Sequence, residues 1–111
     1  MKTYALTIEL KPDPDMIKKY LDYHKAVWPE VKAAVGRTGM RNVKIFMLGT
    51  RLVQIFEAPD GFDPRKDMMK YIEDAKAQEW DAMMREYQQP VPEAQAGEWW
   101  AQMSLVYDSN K

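Results

Sequence analysis

The sequence contains no cysteine, which excludes disulfide bonds, thiol nucleophiles and cysteine-ligated metals. It has a single histidine, His24, so we expect no metal site built by this chain alone. With 16 Lys and Arg against 17 Asp and Glu, the net charge is −1, which argues against a nucleic-acid binder, since such proteins carry a large basic face. No apolar run approaches the roughly 18 residues that span a bilayer, and no signal-peptide pattern opens the chain. We therefore expect no membrane partner.

Large aromatic and sulfur-containing side chains are abundant instead. The 111 residues include four Trp, six Tyr and nine Met, and 46% of the chain is hydrophobic. This length fits one domain over residues 1–111. The sequence thus predicts a small cytoplasmic domain with enough apolar residues for a core and enough aromatic residues to line a ligand pocket.

The first part of the chain predicts a strand followed by an interrupted helix. Residues 3–10 alternate between two faces, with the larger apolar side chains on one of them, as in a half-buried strand. The Asp-Pro pair at 13–14 supplies a capping carboxylate and a proline for the first helical turn. Apolar residues then recur at helical spacing over 17–35. Pro29 lacks an amide hydrogen, so we expect a kink or two helices that meet near Trp28.

The rest of the chain predicts two strands, two helical stretches and a last strand. In order, these are strands at 42–48 and 52–57 joined by a hairpin at 49–51, helices at 63–73 and 77–87, a loop at 89–97 and a strand at 99–107. The order β-α-β-β-α-β is that of the ferredoxin-like unit, an α+β fold with a four-stranded antiparallel sheet and helices on one face.

Several predicted strands carry large apolar side chains on both faces. Ile45 and Phe46 are neighbours in one strand and would point in opposite directions. Because a single helical layer covers only one face of the sheet, the other face requires a second layer. A homodimer that pairs sheet to sheet would supply it, so we predict a dimeric α/β barrel.

The lone histidine is the first candidate for chemistry. His24 follows Tyr20 by four residues, so both project from one helix face toward the sheet. A buried histidine bonded to a backbone carbonyl would explain His24 without any function. However, two polar-tipped residues on an inward face need partners, and the break at Trp28-Pro29 opens space beside them. A histidine at that place could act as an acid or base near neutral pH.

Other candidates are aromatic or acidic. Trp80 lies on the apolar stripe of its helix, which suits either a core or a pocket wall. Trp99 and Trp100 are adjacent in the predicted last strand, so one of them should face away from the helices. The carboxylates that could bind a ligand's hydroxyl groups, or simply be solvated charges, are Glu30, Glu79, Asp81 and Glu98.

The string Tyr20-x-x-x-His24-x-x-x-Trp28-Pro29-Glu30, after a short first strand, resembles the L-rhamnose mutarotase family, and the resemblance extends over essentially the whole chain. It implies a ferredoxin-type dimer that interconverts the α and β anomers of 6-deoxy-L-sugars without a cofactor. By this resemblance His24 is the proton donor and Tyr20 contacts a monosaccharide substrate. The other residues that we predict to contact the sugar are Trp80, Trp28, Trp100, Glu79 and Asp81.

Two departures from the rhamnose-type pattern point to a different sugar. Such members carry a tyrosine where this chain has Val43, and a Trp-Trp pair where this chain has only Trp80 between two acidic residues. The segments Gln78-Glu79-Trp80, Gln88-Gln89-Pro90 and Gly97-Glu98-Trp99-Trp100 resemble a branch associated with L-fucose. We therefore favour L-fucose over L-rhamnose.

The fold alone leaves other functions open, because ferredoxin-like dimers also act as cofactor-free monooxygenases, haem-binding proteins and ligand-sensing modules. In a haem protein, His24 would be the axial ligand. In a binding module, Tyr20 and His24 would lie in a closed, dry core.

Overall fold

A computed structural model describes residues Met1–Lys111. Its strands are β1 (Lys2–Leu10), β2 (Arg41–Leu48), β3 (Arg51–Ala58), β4 (Gln88–Gln89) and β5 (Ala101–Gln102). Its α-helices are α1 (Pro14–His24), α2 (Pro29–Arg37) and α3 (Ala75–Arg85), and a 3₁₀ helix covers Met68–Glu73. None of these helices is both long enough and apolar enough to cross a membrane.

The start of α1 and its end at a break follow from local chemistry, as predicted. The Asp13 side chain accepts hydrogen bonds from the amides of Asp15 and Met16, at 2.9 and 3.2 Å, which satisfies donors that a first helical turn leaves free. The helix ends at His24, and α2 begins at Pro29, where the missing amide hydrogen costs nothing. The predicted meeting of two helices near Trp28 is confirmed.

The sheet has the strand order β2-β3-β1-β4, with β5 also pairing with β1. The central strand β1 runs antiparallel to β3, from Lys2 opposite Ala58 to Glu9 opposite Arg51. All strand pairs are antiparallel. This is the ferredoxin-like arrangement that the order of elements predicted.

The helices pack on one face of this sheet around two clusters of buried side chains. The first joins residues of β1, β3 and all three α-helices: Ile8, Leu10, Tyr20, Val31, Ala34, Leu52, Ala77, Trp80 and Met84. The second lies toward the other end of β1 and β3: Leu6, Met40, Phe56, Ala58, Phe62 and Met68. Between Leu52 and Phe56, on the same face of β3, lies a polar residue, Gln54.

Two predicted elements differ from the structure. The helix expected at 63–73 is a turn followed by the 3₁₀ helix, since the amide of Asp63 donates to the Asp67 carboxylate and the amide of Arg65 donates to that of Asp63. Such local bonds compete with helical ones. The strand expected at 99–107 is reduced to β5, and the predicted loop at 89–97 begins with a residue of β4.

The face of the sheet opposite the helices is not covered by this chain. Its centre carries Ala5, Val53, Ile55 and Phe46, and Phe46 is 57% exposed. Beyond β5, the apolar side chains of 105–107 are also exposed. The second apolar face that the sequence predicted is therefore present.

Candidate active site

A cavity of about 660 Å³ lies between the helices and the helix-facing side of the sheet. Val43 and Ile45 of β2 and Gln54 of β3 form its floor, and side chains of α1, α2, α3 and the 3₁₀ helix form its walls. Its volume is within the range of small-molecule sites. Tyr20 and His24 both line it, so the structure brings the two predicted catalytic residues together.

His24 is held in one orientation by its own helix. Its Nδ1 lies 2.8 Å from the carbonyl oxygen of Tyr20. A carbonyl only accepts hydrogen bonds, so Nδ1 carries the proton and the neutral ring keeps its lone pair on Nε2. Burial lowers the pKa of His24 below its ordinary value near 6.5, and the bond to the carbonyl opposes this only in part. At neutral pH His24 is therefore an uncharged base.

Tyr20 is buried and belongs to a chain of side-chain hydrogen bonds. Its hydroxyl oxygen accepts from Nε2 of Gln88 at 3.1 Å, and Oε1 of Gln88 accepts from the indole of Trp99 at 2.8 Å. Burial raises the pKa of Tyr20 to about 12. Tyr20 thus stays protonated, and because its oxygen is the acceptor from Gln88, its own proton remains available to a ligand.

The tryptophans differ in their relation to the cavity. Trp80 both packs in the first core cluster and lines the cavity, with its ring centroid 5.5 Å from that of His24. Trp28 packs edge-on against Trp80 at 5.2 Å and is not part of the cavity wall. Trp99 and Trp100 both line it, contrary to the expectation of opposite faces, because they precede β5 and do not follow strand alternation.

The acidic candidates differ in whether they reach the cavity. Asp81 lines the cavity, where it accepts hydrogen bonds from the Tyr71 hydroxyl and, at 2.9 Å, from Nε of Arg85. Burial and the Asp81 carboxylate together raise the pKa of Tyr71 above its ordinary value. Glu79 instead lies on the outer side of α3, where it pairs with Lys76 at 3.3 Å.

The two remaining carboxylates lie outside this cavity. Glu98 pairs with Arg65 at 3.4 Å beside a neighbouring cavity of about 420 Å³. Glu30 is exposed at the start of α2. Asp81 is therefore the acidic candidate that the fold brings to the wall shared with His24. No three His, Asp or Glu side chains come together as a metal site would require.

Among the polar residues of the cavity that were not singled out from the sequence are Gln54, Tyr71 and Arg85. A signal existed for two of them. Gln54 interrupts the apolar positions of β3, and Arg85 follows Asp81 by four residues, one helical turn away. Tyr71 gave no signal, because only the tertiary fold brings it to the cavity. Gln88 lies in a segment that resembles the L-fucose branch, but its bond to Tyr20 could not be predicted from the sequence.

The fold and the cavity define a small ferredoxin-like α+β protein with a histidine and a tyrosine in an aromatic pocket. A model of the L-rhamnose mutarotase family matches residues 3–109. The chain therefore belongs to the L-rhamnose mutarotase family, isomerases that interconvert the anomers of L-rhamnose or L-fucose. The resemblance carried by the Tyr20–Glu30 string is confirmed.

Two relatives match nearly the whole chain, and one of them is named a mutarotase. The chain is 48% identical over 111 residues to a UPF0734 protein of Dictyostelium discoideum, covering 96% of this chain and 89% of the relative. It is 28% identical over 109 residues to an L-fucose mutarotase of Xanthomonas campestris pv. campestris, covering 96% and 87% of the two chains.

Two solved structures have the same fold. An L-rhamnose mutarotase from Formosa agariphila superposes with a TM-score of 0.69 at 16% identity, covering 97% of this chain and 98% of the other. The tetracenomycin F2 cyclase of Streptomyces glaucescens, a type-II polyketide cyclase, gives a TM-score of 0.58 at 15% identity and covers 97% and 96%. At such identities the likeness concerns the fold.

Proposed function

We propose that this protein interconverts the α and β anomers of a 6-deoxy-L-hexose, with L-fucose preferred to L-rhamnose, by acid–base ring opening at His24. One observation carries this proposal. A neutral histidine with its Nδ1 bonded to the Tyr20 carbonyl lines an aromatic cavity of sugar-binding size, so that Nε2 is the nitrogen left to act on a ligand.

The reaction needs only the movement of one proton. In the first step, Nε2 of His24 removes the proton from the anomeric hydroxyl, the C1–O5 bond breaks, and a C1 aldehyde forms. The electron pair of that bond remains on O5, which takes the proton back from His24. Rotation about C1–C2 presents the other aldehyde face, and the same steps in reverse close the ring as the second anomer. His24 ends as it began.

The residues around His24 would bind and orient the sugar. Tyr20, protonated at neutral pH, can donate to an oxygen of the substrate. Trp80 and Trp100 offer flat apolar surfaces for the C6 methyl group and the C–H face of the ring. Asp81 accepts hydrogen bonds from Tyr71 and Arg85. The Asp81 carboxylate and the Arg85 guanidinium therefore form one polar cluster that can bind hydroxyl groups.

The preference for L-fucose rests on the cavity and on one relative. The floor carries Val43 where a rhamnose-type site would have a tyrosine, and Trp80 is followed by Asp81 rather than by a second tryptophan. L-Fucose and L-rhamnose differ in the configuration of ring hydroxyls, so a changed polar wall alters which one fits. The relative from Xanthomonas campestris is named an L-fucose mutarotase.

A homodimer that buries the open face of the sheet is part of this proposal. The apolar centre of that face is bordered by charges of both signs, two positive and two negative: Lys44, Arg51, Glu9 and Glu57. A face with balanced charge around an apolar centre is complementary to a second copy of itself across a two-fold axis. The exposed side chains of 105–107 would add to the same contact.

Anomer exchange can be measured directly by NMR on equilibrated sugars. Saturating the signal of one anomeric proton should dim the other only when exchange is fast, so the protein should produce this transfer with L-fucose and, less efficiently, with L-rhamnose. Each sugar without protein is the control. Faster exchange of L-rhamnose would reverse the substrate preference, and no transfer with either sugar would contradict the proposed activity and favour a binding module.

The pH dependence of exchange should report His24 as the base. Because burial lowers its pKa, we expect kcat/KM to be constant at neutral pH and to fall tenfold per pH unit in acid, with the midpoint below 6.5. The rate in buffer alone is subtracted at each pH, and circular dichroism checks folding. A midpoint above 7 would show that a different group titrates.

A further inference from the structure

Gln54 is a buried polar residue with an unpaired oxygen in the floor of the cavity. It is 8% exposed, and its Oε1 is enclosed with no hydrogen-bond partner in the structure. No other buried side-chain nitrogen or oxygen atom in the chain lacks a hydrogen-bond partner. A buried acceptor left without a partner destabilises the folded state. A buried polar group of this kind needs an explanation, and a role in binding a ligand is one.

The side chains opposite Gln54 on the neighbouring strands cannot bond to its amide. Leu52 and Phe56, two residues before and after it, belong to the two separate core clusters, so Gln54 lies at the gap between them. The strand position directly opposite on β1 is occupied by Leu6, and that on β2 by Ile45, neither of which can satisfy an amide through its side chain. Gln54 also lines the cavity, so a ligand bound there can supply a partner for its amide.

Several other polar groups of the cavity already have partners. Gln88 bridges Tyr20 and Trp99, and Asp81 is bound by Tyr71 and Arg85. Gln54 is the buried neutral acceptor without a partner on the sheet side of the cavity, while His24 lies on a helix. A carboxamide offers an acceptor and a donor side by side, which matches two neighbouring hydroxyl groups of a sugar ring.

We propose that Gln54 binds a ring hydroxyl of the substrate away from the anomeric carbon and thereby determines which 6-deoxy-hexose the site accepts. This inference rests on the proposed function. It gives Gln54 no part in proton transfer, because it lies on the floor while His24 and Tyr20 lie on α1. Its contribution is therefore to binding and specificity.

The substitution Gln54→Leu removes both polar atoms at similar volume. We expect KM for L-fucose to rise about 3- to 10-fold, the size of one neutral hydrogen bond, with kcat retained. The melting temperature should stay the same or rise, because an unpaired buried oxygen is lost. A glutamine needed for the fold would show the opposite, a lower melting temperature. The matched control is Gln78→Leu, on the exposed side of α3, which should change neither value.

Deoxy analogues of L-fucose, each lacking one ring hydroxyl, identify the contact. In the unchanged protein, one analogue should bind 3- to 10-fold more weakly, and in Gln54→Leu the loss of that same hydroxyl should have no further effect. If the unchanged protein exchanges L-fucose, and Gln54→Leu has the same KM as the unchanged protein for L-fucose and for each analogue, the inference about Gln54 is wrong while the proposed function stands. If the unchanged protein exchanges neither sugar, both are overturned.

Discussion

Replacing His24 with alanine should abolish most of the anomer exchange while leaving a folded protein. General acid–base assistance by a positioned side chain is worth about 10²–10⁴ in rate, so we expect a loss in kcat of that size. The imidazole makes one hydrogen bond, to the carbonyl of Tyr20 within its own helix, and it packs against the rings of Tyr20 and Trp80. Saturation-transfer NMR on L-fucose gives the rate, and circular dichroism gives the melting temperature.

The matched comparison for His24→Ala uses the two acidic residues that flank Trp80. Glu79→Ala changes a solvent-facing side chain paired with Lys76, so its exchange rate should equal that of the unchanged protein. Asp81→Ala removes the carboxylate that Tyr71 and Arg85 share at the cavity wall, so it should weaken sugar binding. Exchange by His24→Ala at the full rate would show that the histidine is structural and that another group moves the proton.

Introducing a charge into the open sheet face should convert a dimer into a monomer. Phe46 is 57% exposed and points away from the helices, so Phe46→Asp leaves the core of the monomer unchanged. Two-fold symmetry places one aspartate in each copy, and each unpaired buried charge costs several kcal/mol. The dimer should therefore weaken by at least about a thousandfold, at 1.4 kcal/mol per factor of ten.

Light scattering coupled to size exclusion measures this change. The unchanged protein should elute with twice the mass of one chain and Phe46→Asp with the mass of one. The control is Leu21→Asp, which adds the same charge at an exposed apolar position of α1 on the helical side of the molecule. A monomeric unchanged protein, or a dimeric Phe46→Asp, would contradict the proposed sheet-to-sheet assembly.

Much of the fold could be predicted because it follows from short-range chemistry. The alternation in β1, the Asp13 cap and the proline break at Pro29 each act within a few residues, so the sequence exhibits them directly. The length of the last strand could not be predicted. Alternation in 99–107 indicates a strand, but a strand also needs a neighbour along its length, and of these residues only Ala101 and Gln102 pair with β1.

The site likewise contains residues that local spacing predicts and residues that only the tertiary fold brings together. Tyr20 and His24 are one helical turn apart, so their meeting could be predicted from spacing alone. Tyr71 and Asp81 come from different elements, and Gln88 reaches Tyr20 across 68 positions of sequence. Glu79 and Asp81 have the same chemistry and are only two residues apart, yet one faces solvent and the other the cavity, because α3 rotates by about 200° over two residues.

The sequence by itself determined the class of fold, the break between α1 and α2, and the pairing of His24 with Tyr20, since all three depend on local spacing and on the periodicity of apolar residues. Only the tertiary structure decided which carboxylate reaches the cavity, that Trp99 and Trp100 share it, and that Gln54 lies in its floor without a partner. Those facts depend on contacts between residues far apart in the chain, where packing and the satisfaction of buried polar groups, rather than local preference, determine the outcome.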